Sequence, residues 1–389
     1  MQPRMNGAMG QTPTTTEKPL RIRYLFKGGR SGRLAATERF PRDFFYGYFD
    51  LKERGHDLAL IEQKDLPFGP LATRFMRHMQ WFCGRLAPGL PAALPLTTAL
   101  IRHRRRLNDC DVLVATTQTY GYCLGLMKRL GLLRPRVLFI VMGTLRDDLA
   151  PRSRCLTRWL LGAVELFPIS ARECAALKAE YPDHPHLTYL PFGIDTDYWC
   201  AGEEEDEEKA GHLAERPYVL SIGNDLNRDY ETLIKAWRPD FPKLIIVTRL
   251  AVSTDQDNID ILAGDWRENT LSDAAIRGLM RRSLFVVLPI KDTWQPSGQS
   301  ACLQAMACGR TVVLSRIRGL WDDEILRDGE TCSLVTPGDA QALTDAVAAL
   351  LADGARADRM GEAAKATTRT SFTTARTAVG LEAAFSVYP

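Results

Sequence analysis

Short apolar runs alternate along this chain with longer stretches whose apolar residues recur at three- and four-residue spacing. In the first half the runs Ile22–Phe26, Leu58–Ile61, Val112–Ala115, Val137–Met142, Phe167–Ile169 and Leu187–Leu190 read as strands. In the second half the runs are Tyr218–Ile222, Leu244–Val247, Ile259–Ala263, Leu284–Pro289, Thr311–Leu314 and Cys332–Val335. Strands separated by roughly 20–30 residues, with helical patterns between them, predict βαβ units and parallel sheets. Two such halves predict an α/β protein of two Rossmann-like domains facing each other. Ligands of such sheets bind beyond the carboxyl ends of the strands, so the cleft between the domains is the expected site.

The 389 residues are too many for one ordinary core. Residues 1–18 read as a flexible tail, 19–200 as the first domain and 201–216 as a linker that holds the acidic run Glu203–Glu208. Residues 217–372 form the second domain, and a helix in 373–389 is expected to cross back to the first and help the cleft close. A hydrophobic content of 45% with 25% charged residues excludes a disordered chain. The longest uncharged apolar stretch, Leu86–Ile101, is broken by Pro88, Pro91 and Pro95 and is too short for a spanning helix. The polar, Thr-rich start shows no signal-peptide core, and nine cysteines without CxxC or Cys/His spacing predict reduced thiols. The expectation is a cytoplasmic protein, soluble or peripheral on the inner face of a membrane.

The net charge of +3 hides a split. Residues 1–200 carry 29 Lys and Arg against 18 Asp and Glu, whereas residues 201–389 carry 21 against 29. A basic half points to an anionic surface as partner, and composition drift is the bland alternative. From Leu71 to Asn108 there is no acidic residue. On a helical wheel Arg74, Arg77, His78, Trp81 and Arg85 share one arc, opposite a broader apolar arc, and Arg104, Arg105 and Arg106 form a second basic cluster. This pattern fits a helix in an anionic membrane interface and equally a core helix with a solvated basic face.

Two segments carry the chemistry. The run Ser221–Trp237 ends a strand at Gly223 and brings Arg228 to a helix start. A glycine at a strand's carboxyl end lets backbone approach a phosphate, and a cation there adds to the positive end of the helix. The run Leu288–Val313 ends a strand at Pro289, and a Pro-Ser-Gly loop opens a helix from about Gln299 to Cys308, which Gly309 terminates. Amides of Gly298, Gln299 and Ser300 are thereby aimed at a diphosphate. Asp195-Thr196-Asp197 spells a metal-type Asp-x-Asp but follows a glycine turn and lacks further ligands, so no metal site is assigned. The six histidines show no HExxH or triad-like spacing.

These segments resemble the donor half of the group 1 (family 4) retaining glycosyltransferases, which have the two-domain GT-B fold. Gln304–Val313, QAMACGRTVV, nearly matches the family's EAMACGRPVV, and Asp328–Asp339 resembles its DGENGLLVPPGD. Leu190–Asp195 resembles IPNGID, and Ser221–Ala236 matches the glycine, basic residue and LIxA pattern. Residues 1–186 match in architecture only. The resemblance implies transfer of a sugar from a nucleotide-diphosphate sugar to an acceptor hydroxyl, with retention, without a metal and without a cofactor. By position it implies a phosphate-binding Arg228, a donor loop Ser297–Ser300 and Gln304 at the ribose hydroxyls. Gly223, Asn224 and Arg249 complete the donor set. Arg228, Gly298, Gln299 and Ser300 are the expected catalytic groups, since they stabilise the leaving oxyanion. Gly28, Gly29, Gly143, Thr144 and Asp147 form the expected acceptor side, and the acceptor is expected to be a lipid or lipid-linked glycan.

The chain departs from the family at its paired glutamates, whose positions hold Pro296 and Gln304. It also has Asn224 in place of the first basic residue after the glycine. A divergent enzyme and a catalytically silent sugar-nucleotide-binding protein both accommodate these changes. A sugar-nucleotide epimerase would need acid–base groups that are not found in the sequence. A polyanion- or nucleic-acid-binding protein would explain the charge, but no recognisable nucleic-acid motif accompanies it.

Overall fold

The computed structural model describes residues 18–67, 93–147, 151–202, 210, 212, 213, 215, 217–264 and 271–386. Two wholly parallel sheets organise the chain. The first contains β1 (Arg21–Phe26), β2 (Asp57–Glu62), β3 (Val112–Ala115), β4 (Arg136–Val141) and β5 (Glu165–Pro168) in the order β2-β1-β3-β4-β5. The second contains β6 (Tyr218–Ile222), β7 (Lys243–Thr248), β8 (Ile259–Ala263), β9 (Val286–Leu288), β10 (Val312–Ser315) and β11 (Ser333–Val335), ordered β11-β10-β9-β6-β7-β8. The register places Ile22 between Leu58 and Val112, and Ile222 beside Val247. Strands covered on both faces must be apolar almost throughout, which is why β3, β6, β9 and β10 are buried at every residue.

One expected strand does not extend. Leu187–Leu190 makes a single bridge, Leu166 to Leu187. It runs beside β5, but Pro168 has no N–H to offer it, and Pro191 follows at once. The acidic run Glu203–Glu208 lies outside the described residues, as do Arg74, Arg77, Trp81 and Arg85. Eight described cysteines are free thiols. Among the described residues no helix is long and apolar enough to cross a membrane.

The halves are packed on one another. The largest apolar core is continuous between them: Phe192, Ile194, Tyr198 and Trp199 of the connecting segment join Phe45 and Tyr46 to Met306 and Ala307. The last helix, Thr374–Ser386, returns to the first half and packs on the helix Tyr48–Glu53. There Glu382 pairs with Arg54 at 2.8 Å, and Arg136 donates to the carbonyls of Ala384 and Phe385. Across the cleft Arg33 pairs with Asp273 at 2.8 Å and Arg172 with Asp323 at 2.6 Å. The carboxyl ends of the two sheets therefore face each other.

Candidate active site

At the end of β6 the backbone of Gly223 is held on every side. Its N–H donates to Val247 O, and its carbonyl accepts from Tyr230 Oη at 2.8 Å and Thr248 Oγ1 at 2.7 Å. The Arg228 guanidinium lies directly on the α-carbon, and any Cβ at 223 would overlap it. Arg228 is 7% exposed, with Nε 3.0 Å from Asp225 Oδ2. Neither Nε nor Nη1 makes a hydrogen bond among the described residues. A buried cation with one half-exposed counterion and unmatched N–H groups is costly unless an anion completes it.

Gly298 faces the same guanidinium from the other side. It caps the helix Gln299–Ala307 with φ +79°, and a Cβ there would lie 2.9 Å from Arg228 Nη1. The helix start thus directs its positive end to the space beside Arg228. Ser297 Oγ accepts from Asn227 Nδ2 at 2.8 Å, which ties the two donor loops together. Gly223, Arg228, Ser297, Gly298 and the first helical turn at Ser300 form one cradle.

Other expected donor residues have different occupations. Gln299 N–H turns back to Pro296 O, and its side chain reaches into the first half to donate to Ile169 O at 3.0 Å. It bridges the halves and offers no amide to a ligand. Asn224 donates to Gly264 O and accepts from Arg249 N–H, both at 2.8 Å, so it ties down the loops after β7 and β8. Arg249 follows Thr248 and is exposed. Gln304 is 8% exposed, and its Nε2 donates to Asp43 Oδ2 at 2.8 Å. Asp43 also accepts from Trp199 Nε1 at 2.9 Å and Asp195 N–H at 2.6 Å. Burial pushes the Asp43 carboxyl up to about 6 against these three donors. Asp195 itself caps the short helix Thr196–Cys200 through Tyr198 N–H.

The expected acceptor side is shaped by two buried carboxylates that sequence reasoning missed. Glu173 accepts N–H bonds from Gly143 at 3.0 Å and Thr144 at 2.6 Å, so these amides are not open to a ligand. Burial raises its carboxyl to about 7, with the amides of Gly143, Thr144 and Leu145 opposing. Gly143, at φ +76°, abuts Gln295 of the second half so closely that a Cβ would lie 2.6 Å from the Gln295 Cβ. Glu62 binds the start of the helix Arg30–Ala35 through Arg30 N–H, Ser31 N–H and Ser31 Oγ. Burial opposes its charge, yet the Ser31 hydroxyl and amide, Lys64 and the Arg30 amide hold it down at about 2. Gly28 and Gly29 stand exposed before that helix, whose amides Glu62 has already taken. Asp147 is ion-paired with Arg318 across the cleft, and Arg318 also pairs with Asp292 at 2.8 Å. The Asp147 Oδ2 is therefore engaged across the cleft in this state. Ser170-Ala-Arg-Glu173 carries the Ser-x-x-Glu spacing of a capping box, the one sequence signal for Glu173. Ser170 Oγ does accept from Glu173 N–H, but the carboxylate turns to the loop.

Residues 216–353 match the family described as Glycosyl transferases group 1. The chain is 28% identical over 212 residues to an alpha-maltose-1-phosphate synthase of Mycobacterium tuberculosis, covering 48% of this chain and 53% of that one. It is 26% identical over 196 residues to a GDP-mannose-dependent alpha-(1-6)-phosphatidylinositol monomannoside mannosyltransferase of Mycolicibacterium smegmatis, covering 46% and 50%. The chain spans about half the length of these curated relatives. Along nearly its whole length it superimposes on Anabaena Alr3699/HepE, solved in complex with UDP and glucose, with a TM-score of 0.64 and 16% identity over 94% of this chain and 99% of that one. The family match lies within the second half, and the chain as a whole has the GT-B fold.

Proposed function

We propose that the protein is a retaining, metal-independent glycosyltransferase that moves a sugar from a nucleotide-diphosphate sugar to an acceptor hydroxyl. The observation that carries this reading is the buried Arg228 guanidinium, unmatched at Nη1, wedged between Gly223 and the helix-capping Gly298. In this reading Arg228 and the amides of Gly298 and Ser300 hold the diphosphate and neutralise the charge that grows as the bond from anomeric carbon to phosphate oxygen breaks. The acceptor oxygen bonds to the anomeric carbon on the face the diphosphate leaves, and a phosphate oxygen takes the hydroxyl proton. Retention follows from attack and departure on one face. Neither paired glutamate is required for this route, because the residues stabilise a leaving group and supply no nucleophile.

The acceptor in this reading is a lipid or lipid-linked glycan, bound between the Gly28-Gly29 loop and the loop after β4. It is supported by the partial likeness to a mannosyltransferase whose name includes phosphatidylinositol monomannoside. The protein then works as a cytoplasmic enzyme at the inner face of a membrane. The test is nucleoside diphosphate release from a panel of nucleotide sugars, with and without a lipid extract. Release that depends on the extract and is lost in Arg228→Ala supports the reading. Absence of both binding and release across the panel overturns it.

A catalytically silent sugar-nucleotide-binding protein is the second reading. It is favoured by the engagement of the Gln304 side-chain amide with Asp43. It requires donor binding without release under every acceptor.

A further inference from the structure

We propose that the outer helical layer of the first half is a docking face for an anionic membrane surface. The proposal takes the lipid acceptor from the function proposed above and is otherwise independent of the donor site. The order β2-β1-β3-β4-β5 with right-handed crossovers puts four helices on one face of the first sheet. These are Ala93–Arg102, Arg104–Leu107, Gln118–Arg129 and Pro151–Leu161, which pack side by side. None of the four contains an aspartate or glutamate. Their exposed cations are Arg102, the run Arg104–Arg106, Arg129, Arg152, Arg154 and Arg158.

Apolar surface accompanies the charge. Leu130 is 55% exposed, Trp159 44% and Leu156 38%, and these are three of the six large apolar side chains most exposed among the described residues. The helix Pro151–Leu161 is sharply two-sided: Ser153, Thr157, Leu160 and Leu161 are buried, while Arg152, Leu156, Arg158 and Trp159 face out. Arg129 lies 5.5 Å over the Trp159 ring and donates to the Trp159 carbonyl, so an aromatic body is presented with a cation on it. Beside it is a cavity of about 360 Å³ bordered by Arg129, Arg158 and His184. At this edge Asp183 pairs with Arg158 at 3.1 Å.

Cationic heads around exposed Trp and Leu suit a lipid interface, where the rings enter the acyl boundary and the guanidinium groups stay with the headgroups. A nucleic acid would use the charges but not the aliphatic side chains. The helix Pro151–Leu161 begins just after the loop that faces the cleft, and its Trp159 end lies toward the amino ends of the strands.

The test is flotation of the full chain, without donor, on phosphatidylcholine vesicles and on phosphatidylcholine–phosphatidylglycerol vesicles. Binding to the anionic vesicles, weakened by salt, is expected. An arginine at an anionic surface contributes about 1 kcal/mol, roughly fivefold in partitioning. Arg105→Glu with Arg152→Glu is therefore expected to lower binding by well over tenfold. Leu156→Ser with Trp159→Ala should lower it further while nucleoside diphosphate binding is retained. The matched reversal Arg238→Glu with Arg327→Glu, in the second half, should leave vesicle binding unchanged. Failure to bind anionic vesicles overturns the proposal, as does equal loss in the second-half control. Tighter binding to duplex DNA, indifferent to Trp159→Ala, also overturns it. Vesicle binding that persists where no nucleotide binds refutes the donor reading and leaves the docking face standing.

Discussion

Gln304 Nε2 donates to Asp43 Oδ2 at 2.8 Å across 261 positions of sequence, and this bond needs an amide at position 304. Asp43 is fully buried and already accepts from Trp199 and Asp195. A second carboxylate opposite it would meet like charge without solvent to screen it.

Gln304→Glu is therefore expected to destabilise the protein by about 1–3 kcal/mol, the cost of an unmatched buried polar pair. Asp43→Asn should cost a similar amount, because its amide nitrogen then faces either the N–H groups of both Trp199 and Gln304 or the N–H of Asp195. Combining the two restores one bond in the reverse direction but still leaves Trp199 Nε1 facing an NH₂ group. Urea titration of the four proteins should show a favourable coupling that recovers part of the loss. Strict additivity would mean that the bond contributes nothing.

A glycine at 143 is required by both backbone and contact. Gly143→Ala pays for a left-handed backbone and drives a methyl into Gln295. Stability should fall by about 1–3 kcal/mol, and turnover should fall more than donor affinity, because the cradle at Arg228 is untouched while closure is hindered. Calorimetric donor affinity set against the rate of diphosphate release checks this.

The Glu173 carboxyl titrates far above its ordinary value, from 4.5 to about 7. Between those values the folded protein holds a proton that the unfolded chain has lost, so this group's contribution to stability falls as pH rises through that window. Asp43, raised from 3.8 to about 6, acts in the same direction over a lower window. Glu62 acts oppositely: held at about 2, its contribution is present above 4.5 and disappears as pH falls through 2. Glu173→Gln should flatten the decline between pH 5 and pH 8 in urea midpoints. An unchanged slope would place the titrating group elsewhere.

The distances in sequence explain what was legible before the structure. Buried parallel strands such as Val112–Ala115 and Tyr218–Ile222 announce themselves because both faces are apolar. The Gly223–Arg228 and Ser297–Ser300 loops were legible because a glycine, a cation and a helix start lie close together in the chain. Asp43, Glu62 and Glu173 were not. Each looks like an ordinary acid, and what makes it special is a partner 29 to 261 positions away. Asn224, Gln299 and Gln304 sit in recognised motifs, yet their side chains serve loop and domain packing that no local pattern encodes.

Titration calorimetry of a nucleoside diphosphate into the metal-free protein and into Arg228→Ala tests the central claim most directly. Binding is expected to need the diphosphate and to weaken by about 10²–10³ in the variant, the scale of losing one charge-stabilising donor. Equal affinity for both proteins would contradict it and remove Arg228 from the site.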